Sequence, residues 1–299
     1  MPTLLISLLS LLIALPQNAA STAPRLEAAR KDIERIIGLS GAEVSVVFRP
    51  LNASVGGEIL IGPDVVYHAA STMKVPVMIE LFRQVDAKTI ALDDTIIVSN
   101  VFHSIVDGSE FTLGTSEEAD GAAHLSLGKP MSYRDLCETM ITISSNLATN
   151  VLMEKLGVEK IRATVTRLKA PGMKVLRGVE DQKAFDKGMN NETTGRALMT
   201  LLTAIGSGTA GSPAACDQMQ AILKRQKFND GIPASLPKDI AVGHKTGTIT
   251  KIHHDAAIVY APAPYVLVVM TRGMADEQKS DLLIAEISRI VYDAVKPAR

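Results

Sequence analysis

Val65-Val66-Tyr67-His68-Ala69-Ala70-Ser71-Thr72-Met73-Lys74 is the stretch on which the reading of this chain turns. Residues 65–70 are strand-like, and an apolar run with helical spacing follows in Val75, Met78, Ile79 and Phe82. A serine opening that helix sits at the positive end of the helix dipole, among backbone N–H groups without intrahelical partners. Lys74 comes three residues later and shares a helical face with Ser71. A neutral amine beside a hydroxyl can take its proton, and a helix N-terminus stabilises an oxyanion forming there. Ser71 is therefore a candidate nucleophile. The tetrad alone is weak evidence, because Ser126-Leu127-Gly128-Lys129 has the same S-x-x-K form. An N-cap serine followed by a surface lysine is the plainer account of either one.

Upstream, residues 23–37 have an amphipathic helical pattern with Leu26, Ile33, Ile36 and Ile37 on the apolar side, ended by Gly38 and Gly41. Residues 44–50 and 58–61 are strand-like, joined by a turn over 52–57. Downstream, helical periodicity covers 73–85, and 92–127 are irregular. Asp107-Gly108-Ser109 and Glu117-Glu118-Ala119-Asp120-Gly121 are expected to be surface loops there. Ser132-Tyr133-Arg134-Asp135 begins a helix in capping-box fashion. That helix carries Leu136, Met140, Ile141 and Ile143 and runs into Ser144-Ser145-Asn146. Further helices are expected over 147–156, 158–168, 193–205 and 214–226, with a loop over 177–192. Strands are then expected over 240–248, 256–260 and 265–271, before a final helix over 279–295. The order predicts an α+β fold: an antiparallel sheet built from both chain ends, about 24–70 and 227–299, flanked by helices. An all-helical part, about 71–226, is inserted between, and a site is expected in the cleft where the two parts meet.

The chain has 299 residues, of which 46% are hydrophobic and 21% charged, with net charge −1. That is ample for one large domain or two interleaved ones. Near-neutral charge gives no electrostatic reason to expect nucleic acid or an anionic membrane as partner, and the absence of Trp with only 4% aromatics leaves little to stack on bases. Residues 3–15 are an apolar run too short to span a bilayer, ended by Pro16 and followed by the small residues Ala19, Ala20, Ser21, Thr22 and Ala23. This pattern predicts a signal peptide over 1–23, cleaved near 20–23, although no Lys or Arg precedes the run. The mature chain is then expected in the periplasm or outside the cell, off the membrane and monomeric. Cys137 and Cys216 are the only cysteines, and sequence leaves open whether they pair.

Three polar clusters lie far apart: Ser71-Thr72-Met73-Lys74, Ser144-Ser145-Asn146 and Lys245-Thr246-Gly247. S-x-x-K, S-D-N and K-T-G, in that order, are the set found in class A β-lactamases and penicillin-binding proteins. Each cluster here falls in a fitting context: a helix start, an interhelical turn and a cleft-facing strand. On these residues the sequence resembles the class A β-lactamases and their penicillin-recognising relatives over essentially the whole mature chain. Residues 146–150 look like the family's helix after the second motif, 191–194 like the exit from its omega loop, and 255–259 like the strand after the third motif.

The resemblance implies a serine hydrolase that needs no cofactor or metal and acts on a β-lactam. It implies Ser71 as nucleophile, Lys74 as holder or acceptor of the serine proton, and Ser144 as proton donor to the departing nitrogen. Asn146, Lys245, Thr246, Gly247 and Thr248 would bind substrate, with backbone N–H groups of Ser71 and Thr248 as the oxyanion hole. Glu180 stands about where the family keeps the omega-loop glutamate that directs the deacylating water. Departures accompany these matches. Ser145 replaces an aspartate expected to anchor its turn, and Ala184 replaces an asparagine expected near that water. Asp181 and Glu192 are competing acids in the same loop. No arginine between Lys245 and Asp255 matches the family's substrate-carboxylate partner, leaving His253, Lys251 and Arg272 as stand-ins. His253-His254-Asp255 is not a metal pattern, because strand neighbours point to opposite faces. The competing functions are a D-alanyl-D-alanine carboxypeptidase or esterase, and a penicillin-sensing module that is acylated and stops.

Overall fold

The computed structural model describes residues 17–52, 55–114 and 126–297. Residues 1–16 of the leader expected over 1–23, with its apolar run 3–15, and the expected loop at Glu117–Gly121 lie outside the described residues. Helix α1 (Gln17–Ser40) starts six residues earlier than the apolar pattern suggests. It leads into β1 (Glu43–Pro50) and β2 (Ile59–Ile61). Near the other end come β9 (Val242–Ile249), β10 (Ile252–Val259), β11 (Tyr265–Arg272) and the last helix, α9 (Glu277–Val295). The five strands make one antiparallel sheet in the order β2-β1-β11-β10-β9, so both chain ends contribute to it.

Strand alternation explains why this sheet lies in the middle of the molecule. Successive side chains point to opposite faces, so a strand covered on both sides must be apolar throughout. In β11, Val266, Val268 and Met270 join the core under the helical part. Tyr265, Leu267 and Val269 join the core under α1 and α9. Strand β10 divides the same way, with Ala256 and Ile258 on one side and Ala257 and Val259 on the other. Fully burying one such Val, Leu or Ile contributes roughly 1.5–3 kcal/mol over leaving it exposed. Charged substitutions in β11 would therefore disrupt both layers.

The intervening residues carry short strands and most of the helices. Strand β3 (Tyr67–His68) is followed by a 3₁₀ turn (Ala70–Met73) and α2 (Lys74–Asp86), then β4 (Thr95–Ile97), β5 (Phe102–His103), β6 (Glu110–Phe111) and β7 (Pro130–Ser132). Helices α3 (Tyr133–Thr142), α4 (Asn146–Leu156), α5 (Val158–Arg167) and α6 (Gln182–Asp186) precede β8 (Glu192–Thr193), α7 (Gly195–Gly206) and α8 (Pro213–Leu223). The supposedly irregular stretch after residue 92 thus contains the paired β4–β7 and the β5–β6 hairpin, and the 177–192 loop contains α6. Two- and three-residue strands are too short to leave a periodic signature.

Many helix starts follow from side-chain caps. Ser132, Ser145, Asp181, Thr194, Ser212 and Asp276 each accept an N–H three residues on. At Ser132 the hydroxyl also donates to the Asp135 carboxylate, in keeping with the expected capping-box start. Among the described residues, no helix is long and apolar enough to cross a membrane.

Candidate active site

Ser71 does not open α2 directly. It lies in the 3₁₀ turn that feeds into it, and the Lys74 N–H at the junction donates back to the Ser71 and Thr72 carbonyls. The turn is held from three sides. Thr72 returns its N–H and hydroxyl to Ala69 O at 3.1 and 2.6 Å. The Ala70 N–H donates to His68 Nδ1 at 3.0 Å, and Ala70 itself takes a left-handed φ of 45°. A non-glycine residue in that region is strained and is held there by its surroundings. On the third side β9 passes against the turn. A Cβ added at Gly247 would come within 3.1 Å of the Ser71 and Thr72 backbone nitrogens, so any larger residue there would have to push the turn back by a few tenths of an ångström.

Strand β3 does not continue to Ala70 as the pattern suggests. It pairs over two residues with β8, tying the approach to Ser71 to the exit of the 177–192 loop. His254 on β10 braces it, with Nε2 3.0 Å from His68 O and Nδ1 2.8 Å from His253 O. Burial pushes the His254 pKa down to about 4, so the ring is neutral at pH 7.

Lys74, fully buried at the start of α2, donates to Ser144 O, to Ser144 Oγ at 3.1 Å and to Asn146 Oδ1 at 2.8 Å. Lys245, fully buried in β9, donates to the same Ser144 Oγ at 3.0 Å and to Thr246 O at 2.9 Å. The Ser144 hydroxyl therefore accepts from two amines, and its own proton is left to point elsewhere. Burial, reinforced by the nearby Lys74, holds the Lys245 pKa well below the usual lysine range, with Asp255 opposing. Ser144 has φ 61°, a second left-handed non-glycine residue at the site. The turn beside it is anchored after all: the Ser145 hydroxyl caps α4 by accepting the Ala148 N–H at 3.0 Å, which supplies the anchor expected of the missing aspartate.

Asn146 extends the network. Its Nδ2 donates to Glu180 Oε1 at 2.8 Å, so Lys74, Asn146 and Glu180 form one chain of hydrogen bonds. Glu180 is exposed, with φ 63°. Its preceding neighbour Val179 exchanges both backbone groups with the Asn150 amide, at 2.8 and 3.0 Å. Asn191 similarly fastens residues 176 and 177 across the loop, and the buried Arg177 donates to Met189 O and Gly178 O. These loop-holding residues received no role from the sequence. The usable signal was Asn150 standing four residues after Asn146 on one helix face.

A cavity of about 630 Å³ opens between these elements, lined among others by Ser71, Ser144, Asn146, Glu180, Thr246 and Thr248. Lys74, Lys245 and Gly247 stand behind that lining. Ser126 and Lys129 lie in a turn closed by the Lys129 N–H to Ser126 O bond, and neither residue lines the cavity. Of the rival acids, Asp181 is buried with its carboxylate on Ser104, Ile105 and Ala184, and Glu192 faces Lys174 at 3.5 Å. Ala184 is buried inside α6. Of the proposed carboxylate partners, Arg272 pairs with Glu43 at 2.6 Å and lies over the Tyr67 ring, while Lys251 is an exposed turn residue; neither lines the cavity. His253 does line it, and burial lowers its pKa, so it brings no full charge at pH 7. The far end of the cavity carries Asp230, Glu277 and Asp281. Burial together with Glu277, Asp230 and Asp255 pushes Asp281 up to about 6.

Such a cavity brings two serines and a carboxylate to one ligand, with two buried lysines bonded to the second serine from behind, a set suited to acyl transfer. A model of the β-lactamase enzyme family matches residues 28–295. Among characterised proteins, β-lactamase AST-1 of Nocardia asteroides is 31% identical over 173 residues, which cover 55% of this chain and 56% of AST-1. The chain thus spans somewhat more than half the length of that relative. Among solved structures, a β-lactamase from Sphaerobacter thermophilus superposes with TM-score 0.75 at 25% identity, covering 92% of this chain and 97% of that one. PBP-A superposes equally, with TM-score 0.75 at 25% identity, covering 90% and 96%.

Proposed function

The chain belongs to the β-lactamase enzyme family, and on that premise we propose that it hydrolyses the β-lactam amide of penicillin- or cephalosporin-type antibiotics through an acyl-enzyme on Ser71. The Ser71 hydroxyl attacks the lactam carbonyl carbon, and its proton passes to Lys74, directly or in relay with Glu180. The carbonyl oxygen, now negative, is held by the Ser71 and Thr248 N–H groups. The C–N bond breaks, and Ser144 passes its proton to the departing nitrogen. Thr246 binds the substrate carboxylate with the Lys245 charge behind it. Asn146, held by Lys74 and Glu180, binds the substrate's side-chain amide. A water that gives its proton to Glu180 then attacks the ester carbonyl, and Ser71 leaves with its proton restored.

The observation that carries this reading is the Lys74–Asn146–Glu180 chain, which links the acylating lysine to a carboxylate lining the same cavity as Ser71. Its test is Glu180→Gln, read by intact-protein mass spectrometry minutes after mixing with penicillin. The wild type is expected at its unmodified mass and the variant as the drug adduct, with turnover slowed by roughly 10²–10⁴, the scale of a general base. Equal hydrolysis by both proteins would remove Glu180 from this role.

The likeness to PBP-A supports a second reading, because a PBP-A mutant was solved as an acyl-enzyme complex with penicillin G. In that reading the present chain is acylated and stops, and the wild type itself accumulates the adduct. We also infer that residues 1–23 are a cleaved leader and that the mature chain is a monomer of the periplasm or exterior, organised as a sheet part about 24–70 and 227–299 around a helical part about 71–226. Mass spectrometry of the exported protein should find a start between Ala20 and Leu26, and a retained Met1 in a membrane fraction would refute it.

A further inference from the structure

Glu180 has neighbours fixed on both sides, and the two anchors belong to different parts of the molecule. Val179 is fixed to Asn150 of α4, the helix that also supplies Asn146. Asp181 is fixed to the turn of the β5–β6 hairpin. Its Oδ1 accepts from Ser104 Oγ at 2.8 Å and its Oδ2 from the Ile105 N–H at 3.0 Å, while Oδ1 also caps α6 through the Ala184 N–H at 3.1 Å. Asp181 is 1% exposed. A carboxylate that deep is tolerated because its oxygens accept from those three donors; the residue borders the cavity, but its carboxylate is taken up by the hairpin turn and the start of α6.

Between the anchors Glu180 has φ 63°, a left-handed conformation that is strained for a non-glycine residue. It persists where the surroundings over-determine it. With one anchor released, the peptide can relax and swing the carboxylate away from Asn146. A second contact crosses the same seam, where Lys183 Nζ donates to Asp107 Oδ2 at 2.8 Å and Ser109 Oγ at 2.7 Å. Those groups are half exposed, so the ion pair adds little, and the buried Asp181 carries most of the fastening. The hairpin turn is itself closed by Ser104 N–H to Ser109 O and Gly108 N–H to Ser104 O bonds, both 2.9 Å.

We propose that Asp181 is a positioning residue for deacylation: by bolting the loop to the Ser104–Ile105 turn it holds Glu180 in its left-handed conformation over the acyl-ester. The β5–β6 hairpin thereby belongs to the hydrolytic apparatus without touching substrate. This rests on the reading of Glu180 as the base for the deacylating water, and it makes Asp181 a holder of that base rather than a rival to it.

The signature is kinetic. In an acyl-enzyme mechanism kcat/KM contains only the steps up to acylation, so slowing deacylation alone lowers kcat and KM by the same factor. Partial unfolding lowers kcat and leaves KM in place. Asp181→Asn keeps the size of the side chain but sets an N–H₂ against a donor, and it should slow deacylation by up to roughly a hundredfold, the scale of an ångström's misplacement. The gentler Ser104→Ala, available should Asp181→Asn fail to fold, should lower kcat and KM together by several-fold, and Ser104→Thr should restore both. In each impaired variant the penicillin adduct should be visible by mass spectrometry. The proposal falls if Glu180→Gln traps the adduct while Ser104→Ala and Asp181→Asn turn over like the wild type, or if their losses appear in kcat/KM at constant KM. It falls as well if Asp181→Asn is blocked as fully as Glu180→Gln while Ser104→Ala is normal, since Asp181 would then be a base. Failure of Glu180→Gln to trap any adduct overturns instead the assignment of Glu180.

Discussion

Two halves of the cavity are built on opposite principles. The half proposed to acylate, Ser71, Lys74, Ser144 and Lys245, stands on a 3₁₀ turn, a helix start, an interhelical turn and the middle of a strand, with both lysines fully buried behind the cavity wall. Its two lysines meet at the Ser144 hydroxyl. The half proposed to hydrolyse is a single exposed glutamate on a loop, held on one side by the Asn150 amide on the Val179 backbone and on the other by the Asp181 carboxylate on the 104–105 turn. In the first half the folded core sets the geometry, so losing one group leaves charges or donors buried without partners. In the second the geometry depends on a few separable bonds, so a substitution can detune one step and leave the fold and the other step intact.

The largest effect expected from this contrast is at Ser71. Ser71→Ala should abolish covalent labelling by a fluorescent penicillin while the far-UV circular dichroism and melting temperature stay close to wild type, since a half-buried hydroxyl adds little to packing. Ser126→Ala should label normally. Exchanged results would move the acylating half to the other S-x-x-K tetrad.

Next in size is Lys245→Ala. Removing it leaves the Ser144 hydroxyl and Thr246 carbonyl without their shared buried donor. We expect kcat/KM for penicillins to fall by about 2–4 kcal/mol, the range for losing one partner of a desolvated charged hydrogen bond. A loss below roughly tenfold in steady-state kinetics would mean that the acylating half does not rely on this lysine.

The smallest effect concerns pH and tests whether the acidic end of the cavity acts on acylation alone. Asp281 has its pKa raised to about 6 by burial and by Glu277, Asp230 and Asp255, so it is neutral at pH 5 and charged at pH 7. Its ionisation puts one more negative charge in a cavity that must receive an anionic substrate. Raising the pH through 6 should therefore lower kcat/KM for a penicillin by roughly two- to fivefold, the scale of a single partly solvated charge. Asp281→Asn should flatten that step, and added salt should shrink it. The folded state holds this proton more tightly than the unfolded chain, so the same group destabilises the fold progressively as pH rises from about 4 to 6. A step in kcat/KM that survives Asp281→Asn would assign it to another group.

The difference between the halves also explains what could be read in advance. Ser71 with Lys74, and Lys245 with Thr246, are legible because a helix turn or a pleat converts a fixed sequence offset into a fixed spatial one. Glu180 and Asp181 are adjacent acids in a stretch with no period; both border the cavity, and no offset rule says which one has its carboxylate taken up by another segment. Their roles separate only when a hairpin 70 or more positions earlier closes on one of them. Ser145 teaches the same lesson. Taken as the loss of a carboxylate it suggests a weaker turn, yet a hydroxyl accepts the capping N–H as well.

The amino-acid order by itself determined the class of element at most positions, the apolar strands at both ends, the capped helix starts and the order of the three polar clusters. These follow from interactions spanning a few residues, where propensity, periodicity and capping act before any long-range contact forms. Tertiary structure alone decided which S-x-x-K tetrad meets a cavity, that both buried lysines converge on one serine hydroxyl, and which of two neighbouring acids is held out toward a ligand. Each of those depends on segments brought together across 70 to 101 residues, two by packing within the helical part and one by the sheet closing on it, and nothing local distinguishes the residues concerned until that packing has occurred.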